Sequence, residues 1–361
     1  MPRRPRAHST PASGRVTLAQ IAAEVELPVM AVSRALNGRP GMVSEERRVR
    51  ILAVAKRLGY RPNLMARAIQ TGRSHIIGVS VPPIGDFGSR MVCGIHEVLV
   101  VSDHLPLLHW RTPDPSADPE RIRSAELAVV NALLDYRVDG VILFPADDWV
   151  LDLHFRELHR RGVPLVTVDR QLQQVAADFV GTDDRYGARL AAEHLLALGH
   201  RQVAQLAGAM SYGTYADRSD AFEETIRSAG GTCVTLEKPA LSELAGTIFQ
   251  TNRLLDSRPR PSAVFLAHDH LASGVFAAAA ARGLQIPRDL SVIGFADLAH
   301  AALLHPPLTT VRQDTEAIGR RAADLVLRRC LGQEIGEPVR LRLVPELIVR
   351  ASTASISQGR E

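Results

Sequence analysis

The stretch Pro28-Val29-Met30-Ala31-Val32-Ser33-Arg34-Ala35-Leu36-Asn37 constrains this chain more than any other. At helical period Met30, Val32, Ala35 and Leu36 can pack inward, while Val29, Ser33, Arg34 and Asn37 reach outward. Thr17-Leu18-Ala19-Gln20 before it has the spacing of a capping box, in which a Thr hydroxyl takes an orphan N–H and a Gln reaches back. A first helix then runs to about Val25, with Ile21, Ala22 and Val25 apolar. The turn Glu26-Leu27 delivers Pro28 to the first position of a second helix. Two short helices joined so tightly form a helix-turn-helix, whose second helix can lie in a DNA major groove. Any small helical domain contains such pairs, so pattern alone leaves both readings open.

The residues around this stretch narrow the choice. Val16 to Ala22, Val32-Ser33-Arg34-Ala35-Leu36-Asn37-Gly38, Val43-Ser44, Leu58-Gly59-Tyr60-Arg61-Pro62-Asn63 and Ala66-Arg67-Ala68-Ile69 together resemble the headpiece of the lactose-repressor (LacI/GalR) family. The resemblance spans about residues 16 to 351. It implies a one-component bacterial transcription regulator, with an all-α helix-turn-helix headpiece and a two-lobed, periplasmic-binding-protein-like α/β body of two parallel-sheet lobes.

Charge supports that division. The net charge of +4 conceals a basic start: residues 1–73 hold fourteen Arg and Lys against four Glu, or +10, leaving −6 for the rest. A basic module on an acidic body is the footprint of nucleic-acid binding. Cys93, Cys233 and Cys330 form no CxxC pair and read as reduced, buried thiols of a cytoplasmic protein. No apolar region follows the basic start, so no secretory signal is expected, and no apolar run of membrane-spanning length occurs. No cofactor or metal is expected.

In chain order, residues 1–15 read as a disordered basic tail and 16–61 as the headpiece. There Ser44 caps a third helix, and Ile51, Leu52, Ala55 and Leu58 close the core. Residues 62–74 form a hinge and linker, 75–353 the effector-binding and dimerisation body, and 354–361 a tail. The resemblance makes residues 63–70 a hinge helix that orders on DNA and puts Ile69 in the minor groove as a wedge. A plain linker with a buried Ile is the alternative. Strand runs at 76–81, 141–144, 164–168, 203–206, 263–266 and 291–295 alternate with helical segments, which implies parallel sheets covered on both faces. On the family template lobe one takes roughly 75–200 and 314–340, and lobe two roughly 201–311 and 341–353, so the chain crosses three times.

Base reading falls to Val29, Met30 and Arg34. The first two can make only apolar contacts, and Arg34 can be bidentate to guanine. Thr17, Ser33 and Asn37 suit phosphates. Glu26, Pro28 and Ala31 stand where the family usually has Gly, Ser and Thr, and Met42 resembles a one-residue insertion. For an effector between the lobes, the resemblance points to Arg218, whose planar fork suits vicinal hydroxyls or a carboxylate, and to Phe87 as an aromatic wall. Trp110, Asp183 and Asp269 at strand ends are further candidates. The family's Gly-Tyr/Phe-Asp-Asp run is Gly294-Phe295-Ala296-Asp297 here, and its Asn before Asp269 is His268.

The expected partners are a palindromic double-stranded operator, a small-molecule effector of carbohydrate or related kind, and a second copy of the chain. A regulator without a small-molecule effector, or one modulated by a protein, is the alternative. A stand-alone solute-binding protein would need a signal peptide and no headpiece. An enzyme is disfavoured because GxSxG, GxxxxGK and spaced metal ligands are all lacking.

Overall fold

The computed structural model describes residues 16–36, 43–61, 72–81, 85–110, 119–145, 155–172, 175–208, 213–237 and 244–356. The chain divides into two compact units, the first ending at Ser74 and the second starting at His75.

The first unit holds three helices, α1 (Leu18–Val25), α2 (Val29–Leu36) and α3 (Glu45–Leu58), among its described residues. The capping box forms: the Gln20 N–H donates to Thr17 Oγ1 at 3.3 Å and the Thr17 N–H to Gln20 Oε1 at 2.7 Å. Glu26 ends α1 in the left-handed conformation at φ 55°, its N–H donating to the Ala22 carbonyl. Pro28 stands just before α2, and its carbonyl accepts from Ala31 and Val32. Ile21, Val25, Val32, Ala35, Ile51 and Ala55 make the core, with Leu36, Leu58 and Tyr60 packed against it. Two expected core residues face solvent instead: Met30 is 63% exposed and Leu52 41%. Ala35 and Ala55 are small enough to let the helices approach, and the longer side chains turn outward. Ser44 occupies the N-cap position of α3 but makes no side-chain cap bond; Glu45 and Glu46 supply the favourable first-turn charge.

The second unit contains, among its described residues, two six-stranded sheets. The first sheet uses β1 (Ile76–Val81), β2 (Leu105–Trp110), β3 (Gly140–Leu143), β4 (Leu165–Val168), β5 (Asp178–Thr182) and β11 (Arg340–Leu343), in the order β11-β5-β4-β3-β1-β2 and all parallel. The second uses β6 (Gln202–Ala207), β7 (Thr232–Glu237), β8 (Ala263–Leu266), β9 (Ser291–Ala296), β10 (Thr309–Arg312) and β12 (Glu346–Ile348), in the order β12-β10-β9-β8-β6-β7, with only β12 antiparallel. Central strands such as β3, β4, β8 and β9 are buried along their whole length, as parallel strands covered on both faces must be.

Two helix pairs frame the lobes. Helix α4 (Gly85–Val101) crosses α11 (Thr315–Cys330) on the first sheet, and α7 (Asp184–Ala197) packs beside α8 (Gly213–Ser228) on the second. Two template boundaries therefore move. Helix α7 belongs to the second lobe, because its Ala188, Ala191, Ala192 and Leu195 pack with Phe222, Phe265 and Ile293. Strand β11 belongs to the first, pairing with β5 through Leu343. The crossings fall between Thr182 and Asp184, Arg312 and Thr315, and Leu343 and Glu346. Helices α5 (Pro119–Asp135), α6 (Arg156–Arg160), α9 (Leu244–Asp256) and α10 (Ala272–Ala281) complete the layers. Cys93 lies exposed on α4, so the expectation of three buried thiols fails there; Cys233 and Cys330 are half-buried.

Candidate functional site

On the first unit, α2 presents Val29 (46% exposed), Met30 and Arg34 to solvent, with Ser33 half-buried. An exposed run of two apolar residues and one guanidinium, held by a buried Val32 and Ala35, is a surface suited to a groove lined by base edges. Thr17 lies exposed with its hydroxyl engaged in the α1 cap. Asn37 and Ile69 lie outside the described residues.

On the second unit residues at or just after the carboxyl ends of strands in both sheets touch, with Gln313 bonding Thr182, and His268 meeting Phe87, and ligands of such folds sit at strand carboxyl ends. Arg218, on α8, is 2% exposed. Its Nε donates to Asp184 Oδ1 at 2.7 Å and its Nη1 to the Ala267 carbonyl at 2.8 Å. The guanidinium lies 3.9 Å from the centroid of the Phe295 ring. Burial works against its charge, and Asp184 and Asp169 more than offset that, holding its pKa above the ordinary arginine range. Burial also dominates for the acids. It lifts Asp184 to about 7 against the pull of Arg218, with Asp169 and Asp217 adding to the rise, and it raises Asp169 despite Arg218 and Arg170.

The backbone is strained here. Asp169 at φ 63°, Ala296 at φ 122° and Asp297 at φ 56° end strands β4 and β9 in conformations that L-residues rarely adopt. Such outliers concentrate at binding sites, because the fold must hold them against their preference.

Phe87 is buried at the start of α4, edge-on to both Phe144 and His268 with ring centroids 6.4 Å apart in each case. It thus reaches the opposite lobe. The other three candidates take other roles. Asp183 caps α7, accepting from the Tyr186 N–H at 3.0 Å, and the partner of Arg218 is its neighbour Asp184. Asp269 is fully buried and spends both oxygens on the fold: Thr310 Oγ1 donates to Oδ1 at 2.7 Å and the Leu298 N–H to Oδ2 at 2.9 Å. Trp110 is 43% exposed on edge strand β2, and no described contact joins it to Arg218. His200 is structural, bonded to Ser262 Oγ and the Ala354 carbonyl.

Sequence reasoning misses Asp184, Asp169, Arg170 and Gln313. Asp169 and Arg170 directly follow the apolar run ending at Val168, which is the available signal for a strand-end site. The Arg170 guanidinium lies 5.0 Å over the Phe144 ring. Gln313, at the second crossing, donates from Nε2 to Thr182 Oγ1 at 2.9 Å and to Asp169 Oδ1 at 3.5 Å. A Gln after an Arg-bearing strand carries no sequence signal of its own. Among the described residues no group of His, Cys, Asp and Glu is arranged to hold a metal ion, and no helix is long and apolar enough to cross a membrane.

Comparison with known proteins agrees with this division of the chain. A family profile of bacterial regulatory proteins of the lacI family matches residues 17–63, and one for the periplasmic binding protein-like domain matches residues 192–353. The HTH-type transcriptional regulator MalR of Streptomyces coelicolor is 31% identical over 347 residues, covering 94% of this chain and 96% of that protein. The HTH-type transcriptional regulator reg1 of Streptomyces lividans is 32% identical, again covering 94% of this chain and 96% of the relative. Among solved structures, the Lac repressor dimer bound to operator and the anti-inducer ONPF superposes with a TM-score of 0.79 at 25% identity, covering 94% of this chain and 99% of that one. The transcriptional regulator CelR in complex with cellobiose gives 0.66 at 27% identity, covering 94% and 100%. This chain belongs to the lacI family of bacterial regulatory proteins, DNA-binding transcription regulators that join a helix-turn-helix to a periplasmic-binding-protein-like body.

Proposed function

We propose that the protein is a repressor that binds a palindromic operator as a homodimer and releases it when a sugar-type effector enters the cleft between the lobes. The observation that carries this reading is the buried Arg218 with Asp184 and Asp169, set among strained strand ends. A buried guanidinium that keeps one terminal nitrogen without an acceptor among the described residues is costly unless it is used. The relatives support the ligand class: one neighbour is a cellobiose complex and another a repressor dimer on operator DNA.

In this reading Val29 and Met30 meet thymine methyls, and Arg34 reads a guanine through O6 and N7, a contact worth roughly 1–3 kcal/mol of discrimination. The segment 62–74 carries the coupling. Effector binding changes how the first lobes of two copies are spaced, and a few kcal/mol of differential binding is enough to shift the population. Pairing of copies uses α10 and its neighbour α9, where Ala277, Ala280 and Ala281 are exposed beside Leu244 (54%) and Phe249 (63%).

The test is binding of an operator selected from a randomised duplex pool. Arg34→Ala is expected to lose preference for the selected site and to keep salt-sensitive binding to random DNA. Equal loss on both would reduce Arg34 to a phosphate contact.

A further inference from the structure

The donors and acceptors of the cleft are unevenly divided, and the division limits what can bind. At the ends of β8 and β9 both acids are already engaged with protein donors. Asp269 is fully buried and accepts one bond on each oxygen, from Thr310 and Leu298. Asp297 accepts from Arg312 Nε at 2.8 Å and from Arg350 Nη2 at 2.6 Å. Where an acceptor carboxylate would stand in the resembled family there is the methyl group of Ala296, 3% exposed.

What this side offers is N–H. Arg218 keeps one terminal nitrogen without an acceptor among the described residues. His268 accepts the His270 N–H on Nδ1 at 3.4 Å, which leaves the proton of the neutral ring on Nε2, as a donor. The ring stays neutral because burial, then His270, Arg218 and His300, disfavour its charge. Its stacking on His270, with centroids 4.8 Å apart, and the edge of Phe87 fix its orientation.

The opposite side offers acceptors. Asp169 uses Oδ1 for a long bond from Gln313, and its Oδ2 has no donor among the described residues. Gln313 is 2% exposed, and its Oε1 is buried without a partner there. An unsatisfied buried carbonyl is costly and calls for a donor.

Building on the cleft reading above, we infer that the effector is a sugar acid, with its carboxylate held by Arg218 and His268 and its hydroxyls donating to Asp169 and Gln313. The hydroxyls of a neutral sugar can accept from the two N–H groups, but without the charge assistance and bidentate fit that a carboxylate gives. A carboxylate is an acceptor on every lone pair and suits the guanidinium fork. Asp184 opposes an anion less than an ordinary carboxylate would, because burial lifts it to about 7.

The experiment is calorimetric titration of the full-length protein with D-gluconate, D-galactonate and D-glucuronate, each beside its parent D-glucose or D-galactose. At least one acid is expected to bind tenfold or more tightly than its parent. His268→Ala should weaken the acid by a larger factor than the parent, and Ala296→Asp should cut acid binding at least tenfold by repulsion. The comparison of acid and parent on the wild-type protein needs no variant to fold. Tighter binding of the parents, or no binding of any acid, overturns the inference. If a parent binds and Arg218→Ala removes that binding, the cleft reading stands and only the ligand class is wrong. If binding survives Arg218→Ala, the cleft reading itself falls.

Discussion

Glu26 sits in the left-handed region with its side chain exposed, where an L-residue costs roughly 1–2 kcal/mol over glycine. Glycine's greater freedom in the unfolded chain returns part of that. Glu26→Gly is therefore expected to stabilise the headpiece by about 1 kcal/mol, seen as slower amide exchange at Ile21 and Ile51 in the full chain. Asp184 gives a pH dependence. Its folded pKa of about 7 lies above the ordinary 3.8, so the fold keeps a proton that the unfolded chain gives up. The stabilisation from this proton is complete below about pH 4 and is lost as pH rises through about 7. Melting temperature should fall across that window, and Asp184→Asn should flatten the slope; an unchanged slope would show that Asp184 does not carry it. The sequence itself offers no way to choose between Asp183 and Asp184, since a strand-end doublet has one carboxylate for the helix cap and one for the cleft. Only helix α7 decides which is which.

Among the elements, α4 and α11 cross so closely that each donates a glycine to the contact. A Cβ on Gly94 would overlap the Glu316 carbonyl, and one on Gly319 would overlap the Met91 carbonyl. Backbone cannot turn aside as a side chain can, so Gly319→Ala should destabilise the second unit by about 1–3 kcal/mol or more, measured by urea unfolding. A neutral result would mean that the helices have room to part. Elements with a strong local signal are legible in the sequence. The capping box marks α1, and the apolar runs mark β1, β3, β4, β6, β8 and β9. The strands without such a signal, β2, β5, β7, β10, β11 and β12, are short or carry polar residues. Strand β2 has His109 and an exposed Trp110, β7 alternates exposed Thr232 and Val234 with half-buried Cys233 and Thr235, and three of the four β11 residues are exposed. Strands β2, β7, β11 and β12 are sheet edges, which bury too little surface to need an apolar run, whereas β5 and β10 are buried but carry Asp178, Thr182, Thr309 and Thr310. Helix α7 falls to the wrong lobe on the family template because an Ala-rich face fits either sheet.

For the whole molecule, operator reading needs two copies, because one recognition helix reads too few bases for useful specificity. Sedimentation should show a dimer at micromolar concentration, and Phe249→Asp should shift it toward monomer. A wild-type monomer would contradict this assembly. In the proposed mechanism the Arg218 cleft controls DNA binding by a headpiece that it does not belong to. The direct measurement is operator affinity of wild type and Arg218→Ala, each with and without saturating ligand from the sugar and sugar-acid series. Both proteins are expected to bind the operator, ligand should weaken wild-type binding at least tenfold, and the variant should not respond. A variant that still releases the operator on adding ligand would contradict control through the cleft.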